Sequence, residues 1–167
     1  MKFKVFTSVI FLFVIGTTQA QNPLPVGKAQ LNFGLGFGEW GIPVYAGFDV
    51  GVAKNITMGG EFSYRSYNED WKSNKYHHNI IGISANGNYH FNTLLKIPEK
   101  FDVYAGLNLG FYSWSSPDEY DGDNNSGLGL GAQVGARYYF SKTVGINLEF
   151  GGGNAFSGGK FGLTVQL

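Results

Sequence analysis

The sequence predicts an all-β fold, an eight-stranded antiparallel up-and-down transmembrane β-barrel, on three observations. Apolar residues alternate with small or polar ones along most of the chain, which is the period of a strand rather than a helix. Glycines and aromatics are abundant, with 26 Gly, 15 Phe, 10 Tyr and 3 Trp in 167 residues, whereas charged residues make up 14%. The chain also starts with the pattern of an export signal.

Residues 1–20 form that predicted signal. Lys2 and Lys4 precede an apolar run from Val5 to Ile15, and small residues up to Ala20 indicate a cleavage site. The apolar run is shorter than the roughly 20 residues that a spanning helix needs, which disfavours an uncleaved anchor. We therefore expect a cleaved signal peptide over residues 1–20, an N-terminal lead over 21–28 and the barrel over 29–167.

Charge and cysteine content exclude several function classes. Lysine plus arginine and aspartate plus glutamate both number 12, so the chain has no basic excess for nucleic acid binding. Cysteine is absent, which removes disulfides, thiolate metal sites and cysteine nucleophiles. Backbone pairing and packing must therefore hold the chain together.

Eight strands are predicted from the alternation, each with one face of large apolar side chains. In the first, Phe33 and Leu35 oppose Gly34 and Gly36. The predicted strands cover residues 29–39, 43–53, 56–66, 76–91, 101–113, 127–140, 143–151 and 160–167. Two connections are tight turns at 54–55 and 141–142, and 92–100 is a longer turn. Polar loops are predicted over 67–75, 114–126 and 152–159.

The sizes of the residues on the two faces predict which face points outward. An eight-stranded barrel has an interior just wide enough for side chains to fill, so glycines and long polar groups suit its lumen. Buried ions require partners, and the polar faces carry nearly balanced charges. We therefore expect a network of charged side chains in the lumen, formed by Asp49, Glu61, Arg65, Asp102, Arg137, Glu149 and Lys160. His78 and His90 are expected as its polar neighbours. The alternative is a soluble lipocalin-like barrel with the apolar faces inside.

Aromatic residues cluster near the predicted strand ends, as the interfacial belts of membrane barrels require. One belt is predicted to contain Phe37, Trp40, Tyr64, Tyr67, Trp71, Tyr76, Phe111 and Trp114, and the other Phe91, Phe101, Tyr138 and Phe140. The long loops are the expected contact surface for an external ligand. Its candidate contact residues are Tyr67, Trp71, Trp114, Asp118, Tyr120 and Asp123.

The C-terminal part of the chain resembles a known family. Residues 135–142, GARYYFSK, the following strand with Glu149 and the closing GGKFGL segment are similar to the end of the outer membrane protein beta-barrel domain family. That family resembles the small eight-stranded OmpX and OmpA-type barrels of Gram-negative envelopes. Terminal Leu167 departs from the aromatic residue usual there. The resemblance implies a fold and an outer-membrane location more than an activity.

Three patterns suggest chemistry, and each has a structural alternative. Asp121, Asp123 and Asn125 have a spacing that suits a calcium ion, but the loop lacks the glycine and glutamate of an EF-hand, so a solvated loop is favoured. His77 near Ser113, Ser115 and Ser116 suggests a lipid-modifying site without a spacing motif. The glycine repeats near residues 36 and 129 lie in strands, which disfavours phosphate binding.

We therefore expect a non-enzymatic barrel of the Gram-negative outer membrane, without a cofactor, whose loops face outside and whose polar lumen is plugged. Its expected partners are outer-membrane lipid, the barrel assembly machinery and an unidentified surface ligand, and we expect a monomer. A narrow porin-like passage for small solutes is the alternative. A lipid-modifying enzyme and a soluble binder are the remaining hypotheses.

Overall fold

A computed structural model describes residues 23–38, 41–71, 74–115, 126–154 and 157–167, with the backbone alone for 69–71 and 74–75. Each strand pairs antiparallel with the next along the chain, and the first pairs with the last, which closes the barrel and confirms the predicted fold. The elements are β1 (Ala29–Gly38), β2 (Val44–Ala53), β3 (Ile56–Trp71), β4 (Asn74–His90), α1 (Asn92–Leu95), β5 (Phe101–Ser115), β6 (Gly127–Tyr139), β7 (Val144–Gly153) and β8 (Ser157–Gln166).

The large apolar side chains point away from the barrel axis, as the residue sizes predicted. Leu107 is 65% exposed and Phe48 is 51% exposed, whereas Asp102 in the lumen is 1% exposed. A water-facing surface of this kind would be costly, and a closed barrel satisfies all its backbone hydrogen bonds within hydrocarbon. The apolar outer face is therefore the lipid-facing face of a membrane barrel, and the soluble lipocalin-like alternative is wrong.

The barrel has two unlike ends. The turn end holds the beginning of β1, the end of β8 and the connections at Lys54–Asn55 and 140–143. Asn55 has a φ of 65°, the left-handed conformation that lets two residues link β2 to β3. The opposite end, here the loop end, holds the connections β1–β2, β3–β4, β5–β6 and β7–β8. Antiparallel strands of an even number place both termini at the turn end.

The strands are longer at the loop end than the sequence predicted. The predicted loop over 67–75 is wrong, because β3 runs to Trp71 and β4 begins at Asn74. The predicted loop over 152–159 is also mostly strand, since β7 ends at Gly153 and β8 begins at Ser157. Cross-strand pairing continues where side chains are polar or absent, so an apolar pattern underestimates strand length.

Three neighbouring strands rise above the apolar band. The outer face of β3 is apolar from Ile56 to Tyr64, and Ser66 and Asn68 follow it. A tilted strand needs about 9–11 residues to cross a bilayer, which places the end of the band near Tyr64. On the outer face of β4, His77 lies at the level of Asn68, with which it pairs. The wall of β3, β4 and β5 therefore projects beyond the membrane boundary.

The turn end departs from the prediction at one connection. Residues 92–100 contain the single turn of α1, where the sequence showed no helical period. Across the described residues, no helix has the length and apolarity needed to cross a membrane. The N-terminal lead folds back on this end, because Leu24 is buried and the backbone N–H of Gly27 donates to the carbonyl of Gly51 at 2.8 Å.

Candidate functional site in the barrel lumen

The half of the lumen near the turn end is sealed by a buried ionic plug. Arg137 of β6 donates from Nη2 to Asp49 of β2 and from Nη1 to Asp102 of β5, both at 2.9 Å. The strands β2 and β6 lie four apart in a ring of eight, so the pair with Asp49 crosses the whole lumen. All three side chains are at most 3% exposed. Two carboxylates around one guanidinium compensate the cost of burying these charges.

Neutral side chains add further hydrogen bonds to the plug. The amides of Gln30 and Asn32 on β1 both donate to Asp49 Oδ2 at 2.9 Å. The hydroxyl of Tyr139 donates to Gln30 Oε1 at 3.0 Å, which ties β6 to β1. Buried polar groups are tolerated only when they are paired in this way. We define the plug as Gln30, Asp49, Thr57, His90, Asp102, Arg137 and Tyr139.

One edge of the plug has the connectivity of a hydrolytic triad. The Oγ1 of Thr57 lies 2.9 Å from His90 Nε2, and His90 Nδ1 lies 2.7 Å from Asp102 Oδ1. A hydroxyl, an imidazole and a carboxylate in this order also form the relay of serine hydrolases. A nucleophile must reach a substrate, yet both Thr57 and His90 are 0% exposed. The relay therefore serves to hold β3, β4 and β5 together at the turn end.

Tyr104 separates the plug from the space above it. Its ring stacks on the guanidinium of Arg137, with 4.1 Å between Cζ and the ring centroid. Its hydroxyl donates to Glu149 Oε2 at 2.9 Å. Gly135 faces Tyr104 across β5 and β6, and an added Cβ there would overlap the Tyr104 ring. A glycine at this position is what allows the ring to lie flat across the lumen.

A second ionic group lies above Tyr104. Lys160 Nζ lies 2.7 Å from Glu61 Oε2 and 2.7 Å from Glu149 Oε1. These side chains retain contact with water, with exposures of 27%, 18% and 11% respectively. The same ammonium group lies 5.3 Å from the centroid of the Tyr45 ring. The upper charges are thus partly solvated, unlike those of the plug.

The space above Lys160 is a cavity that extends to the loop end. It has room for water of about 110 Å³, and its rim includes Gly38 and Ser157. We call this cavity the vestibule and define it by Tyr45, Glu61, Arg65, Tyr112, Glu149 and Lys160 on its charged and aromatic side. Several glycines of β6, β7 and β8 line the other side, which is why the space is not filled.

The structure places all seven predicted lumen residues inside the barrel and brings six of them together in two groups. Asp49, Asp102 and Arg137 meet in the plug, and Glu61, Glu149 and Lys160 meet in the vestibule. Arg65 lines the vestibule, on the same face of β3 as Glu61 and four residues further toward the loop end. His90 joins the plug, whereas His78 lies near the loop end, fully buried.

Two of the predicted contact residues lie in strands, so their predicted position in loops is wrong. Tyr67 belongs to β3, and its half-buried ring stacks inside the barrel on His78 with 5.0 Å between ring centroids. Trp114 belongs to β5, and its ring lies edge-on to Tyr67 at 6.1 Å. Tyr76 also shares the inward face of β4 with His78, so these three are not members of an outer belt. Long strands projecting above the membrane keep their alternation, which turns every second aromatic inward.

The remaining predicted contacts lie outside the described residues. The backbone of Trp71 ends β3, but its side chain is not described. Neither backbone nor side chain is described for Asp118, Tyr120, Asp121, Asp123, Asn125, Ser116 and Trp40. Among the residues whose side chains are described, no three His, Asp or Glu side chains are grouped so that they could hold a metal ion.

His77 lies on the outer face of the projecting wall. Its Nε2 lies 2.9 Å from Ser66 Oγ and its Nδ1 lies 2.8 Å from Asn68 Oδ1, both on β3. Ser113 and Ser115 belong to β5, on the other side of β4. Both ring nitrogens are therefore engaged away from the serines that the sequence grouped with this histidine.

Sequence reasoning about charges missed the neutral part of the lumen. Four tyrosines lie on the inward faces, namely Tyr45, Tyr104, Tyr112 and Tyr139. The hydroxyls of Tyr45, Tyr104 and Tyr139 form hydrogen bonds with side chains two or three strands away around the ring, and Tyr112 lines the vestibule. The signal was present, because these tyrosines occupy the glycine-rich faces of otherwise alternating strands. A tyrosine among glycines fits a lumen, where a long side chain with a polar end can reach a partner across the axis.

A closed eight-stranded ring with a lipid-facing outer surface and a polar, filled lumen defines the class of membrane β-barrels. No protein-family model matches the chain, and no curated protein matches it in sequence.

Solved structures of the same fold are found among bacterial outer membrane proteins. OprG from Pseudomonas aeruginosa superposes with a TM-score of 0.66 at 8% identity, over 86% of this chain and 97% of that one. The N-terminal barrel domain of OprF from the same organism gives 0.59 at 12% identity, over 85% and 98%. Ail of Yersinia pestis gives 0.52 at 12% identity, over 86% and 100%. At these identities the likeness shows the fold, which this chain shares with outer membrane barrels.

Proposed function

We propose that this chain is a non-enzymatic, non-conducting barrel of the Gram-negative outer membrane, exported through a cleaved leader. The observation that carries the proposal is the plug, in which Arg137 bridges Asp49 and Asp102 across the lumen. An ion crossing this region would have to separate buried charges that are held at hydrogen-bond distance. Breaking a buried ion pair costs about 3–5 kcal/mol.

In this proposal the barrel works as an anchor whose loop end faces the outside of the cell. The projecting wall of β3, β4 and β5 and the connections beside it would form the surface that meets an unidentified ligand. One neighbour of the same fold, Ail, is named as an attachment invasion locus protein, so this architecture is compatible with a role at the cell surface. Lipid and the barrel assembly machinery are the other expected partners, and the barrel would act as a monomer.

Planar-bilayer recording of the purified protein tests the proposal against the alternative of a narrow porin-like passage. We expect no discrete conductance steps from the wild-type barrel over a range of voltages. The variant R137A, which removes the bridging guanidinium, should show transient steps if it inserts. Regular steps from the wild-type protein would contradict the proposal and favour the passage.

A further inference from the structure

The vestibule is electrically balanced, which indicates a neutral ligand. Its lining contains two carboxylates, Glu61 and Glu149, and two cations, Arg65 and Lys160. Both carboxylates already lie 2.7 Å from the lysine ammonium group. A charged ligand would be attracted by the groups of opposite charge and repelled by those of like charge. It would also have to displace an existing ion pair. A neutral polar ligand meets neither cost.

Amides and hydroxyls occupy the wall between these charges and offer both donors and acceptors. Asn108 uses its Nδ2 to donate to Gln133 at 2.8 Å, and Asn86 uses its Oδ1 to accept from Asn88 at 3.3 Å. Both residues line the cavity, and these two bonds do not use the Oδ1 of Asn108 or the Nδ2 of Asn86. Hydroxyl groups donate and accept at once, so a polyol matches such a wall better than an ion does.

Aromatic and glycine surfaces supply the apolar part of the lining. The rings of Tyr45 and Tyr112 border the cavity, and the latter lies against Gly82, where an added Cβ would come within 2.8 Å of it. The opposite side is built from backbone at glycines, including Gly129 and Gly131. Such surfaces suit the C–H faces of a sugar ring, while its hydroxyls meet the amides and charges.

We propose that the vestibule is a binding site for a single neutral hexose ring, either a free sugar or the terminal unit of a glycan. Its room for water is small, about 110 Å³, and the cavity extends to the loop end, which suits at most one ring that enters from that end. The site lies above the plug and needs no passage through it. This proposal is therefore independent of whether the barrel conducts.

Titration by NMR of the purified barrel in an amine-oxide detergent, whose head group contains no sugar, tests the site. The probes are methyl glucoside and methyl galactoside, with glucuronate and glucosamine as charged analogues of the same size. We expect a Kd of about 1–10 mM for at least one neutral glycoside, the range that a ligand of this size reaches. The charged analogues should bind at least about fivefold more weakly.

Two variants locate the binding, and a third is the matched control. S84F places a ring in the vestibule, and N86L replaces a lining amide by an apolar group of similar size. Each should weaken binding about tenfold or more. S113F makes the same change as S84F on the outer face of β5, where the residue is exposed, and should leave the Kd within about twofold. If S84F does not fold, judged by heat-modifiable gel mobility, N86L decides.

The two sources of the sugar are distinguished by an oligosaccharide that ends in the better hexose. Equal affinities for it and the free glycoside indicate a free sugar, whereas tighter binding of the oligosaccharide indicates a glycan end, and both support the site. No chemical-shift change with any neutral glycoside up to about 100 mM would overturn the proposal. Unchanged binding in folded S84F and N86L, or stronger binding of a charged analogue, would overturn it as well.

Discussion

The two halves of the lumen contain the same kinds of charged side chain, but these side chains have different surroundings. Near the turn end, Arg137 and its carboxylates are almost fully buried and surrounded by side-chain amides, tyrosines and a His–Thr pair. Near the loop end, Lys160 and its carboxylates are partly exposed beneath the cavity that the described residues form. The comparison shows that the surroundings of an ion pair, rather than the pair itself, decide whether a lumen is sealed or accessible.

The largest expected effect is that of removing the central cation of the plug. R137M leaves Asp49 and Asp102 buried without their shared partner, which should lower the free energy of unfolding by about 3–5 kcal/mol. Urea unfolding in detergent micelles, followed by tryptophan fluorescence, measures the change. K142M removes an exposed lysine at a turn and should change stability by less than about 0.5 kcal/mol. Equal effects of the two variants would refute the assignment of the plug as the stabilising centre.

A second test asks whether Gly135 is required because of the Tyr104 ring or only because glycine suits the lumen in general. G135A adds a methyl group that overlaps the Tyr104 ring, so it should cost about 1–3 kcal/mol as an overpacked site. G127A lies in the same strand, β6, where an added Cβ meets no described residue within 4 Å, and should be nearly neutral. Heat-modifiable gel mobility measured at a series of temperatures compares the two. A neutral G135A would mean that Tyr104 does not need its position across the lumen.

The smallest effect on stability is expected in the vestibule. K160M removes the partner of Glu61 and Glu149, but water can solvate both carboxylates there, so the cost should be about 1–2 kcal/mol. The same urea titration as for R137M measures it. A loss as large as that of R137M would show that the vestibule is as dry as the plug, and the contrast between the two halves would fail.

Much of the fold was predictable because one rule governs every strand. Alternation with a period of two places Leu107 outward and Asn108 inward regardless of what lies across the barrel. The strand lengths at the loop end were not predictable in this way. The sequence of residues 67–75 is polar or aromatic and shows no apolar stripe, although backbone pairing continues to Trp71 in β3 and from Asn74 in β4.

The candidate site was predictable in composition but not in grouping. The sequence indicated that Asp49, Asp102 and Arg137 share the lumen, since each lies on a glycine-rich face. His90 was predicted as a polar neighbour of this network, but nothing in the sequence indicated that it joins Thr57 to Asp102, or that Tyr104 divides the lumen into two parts. These contacts join residues of different strands, and their heights depend on the stagger between neighbouring strands around the ring.

The sequence by itself determined that this protein is a barrel and which face of each strand meets lipid. Both follow from the size and polarity of alternate residues, which are local properties of each strand. The tertiary structure alone decided that the lumen is sealed at the turn end and that the described residues leave a cavity toward the loop end. That difference depends on which side chains reach one another across the axis, and only the closure of β1 against β8 fixes those distances.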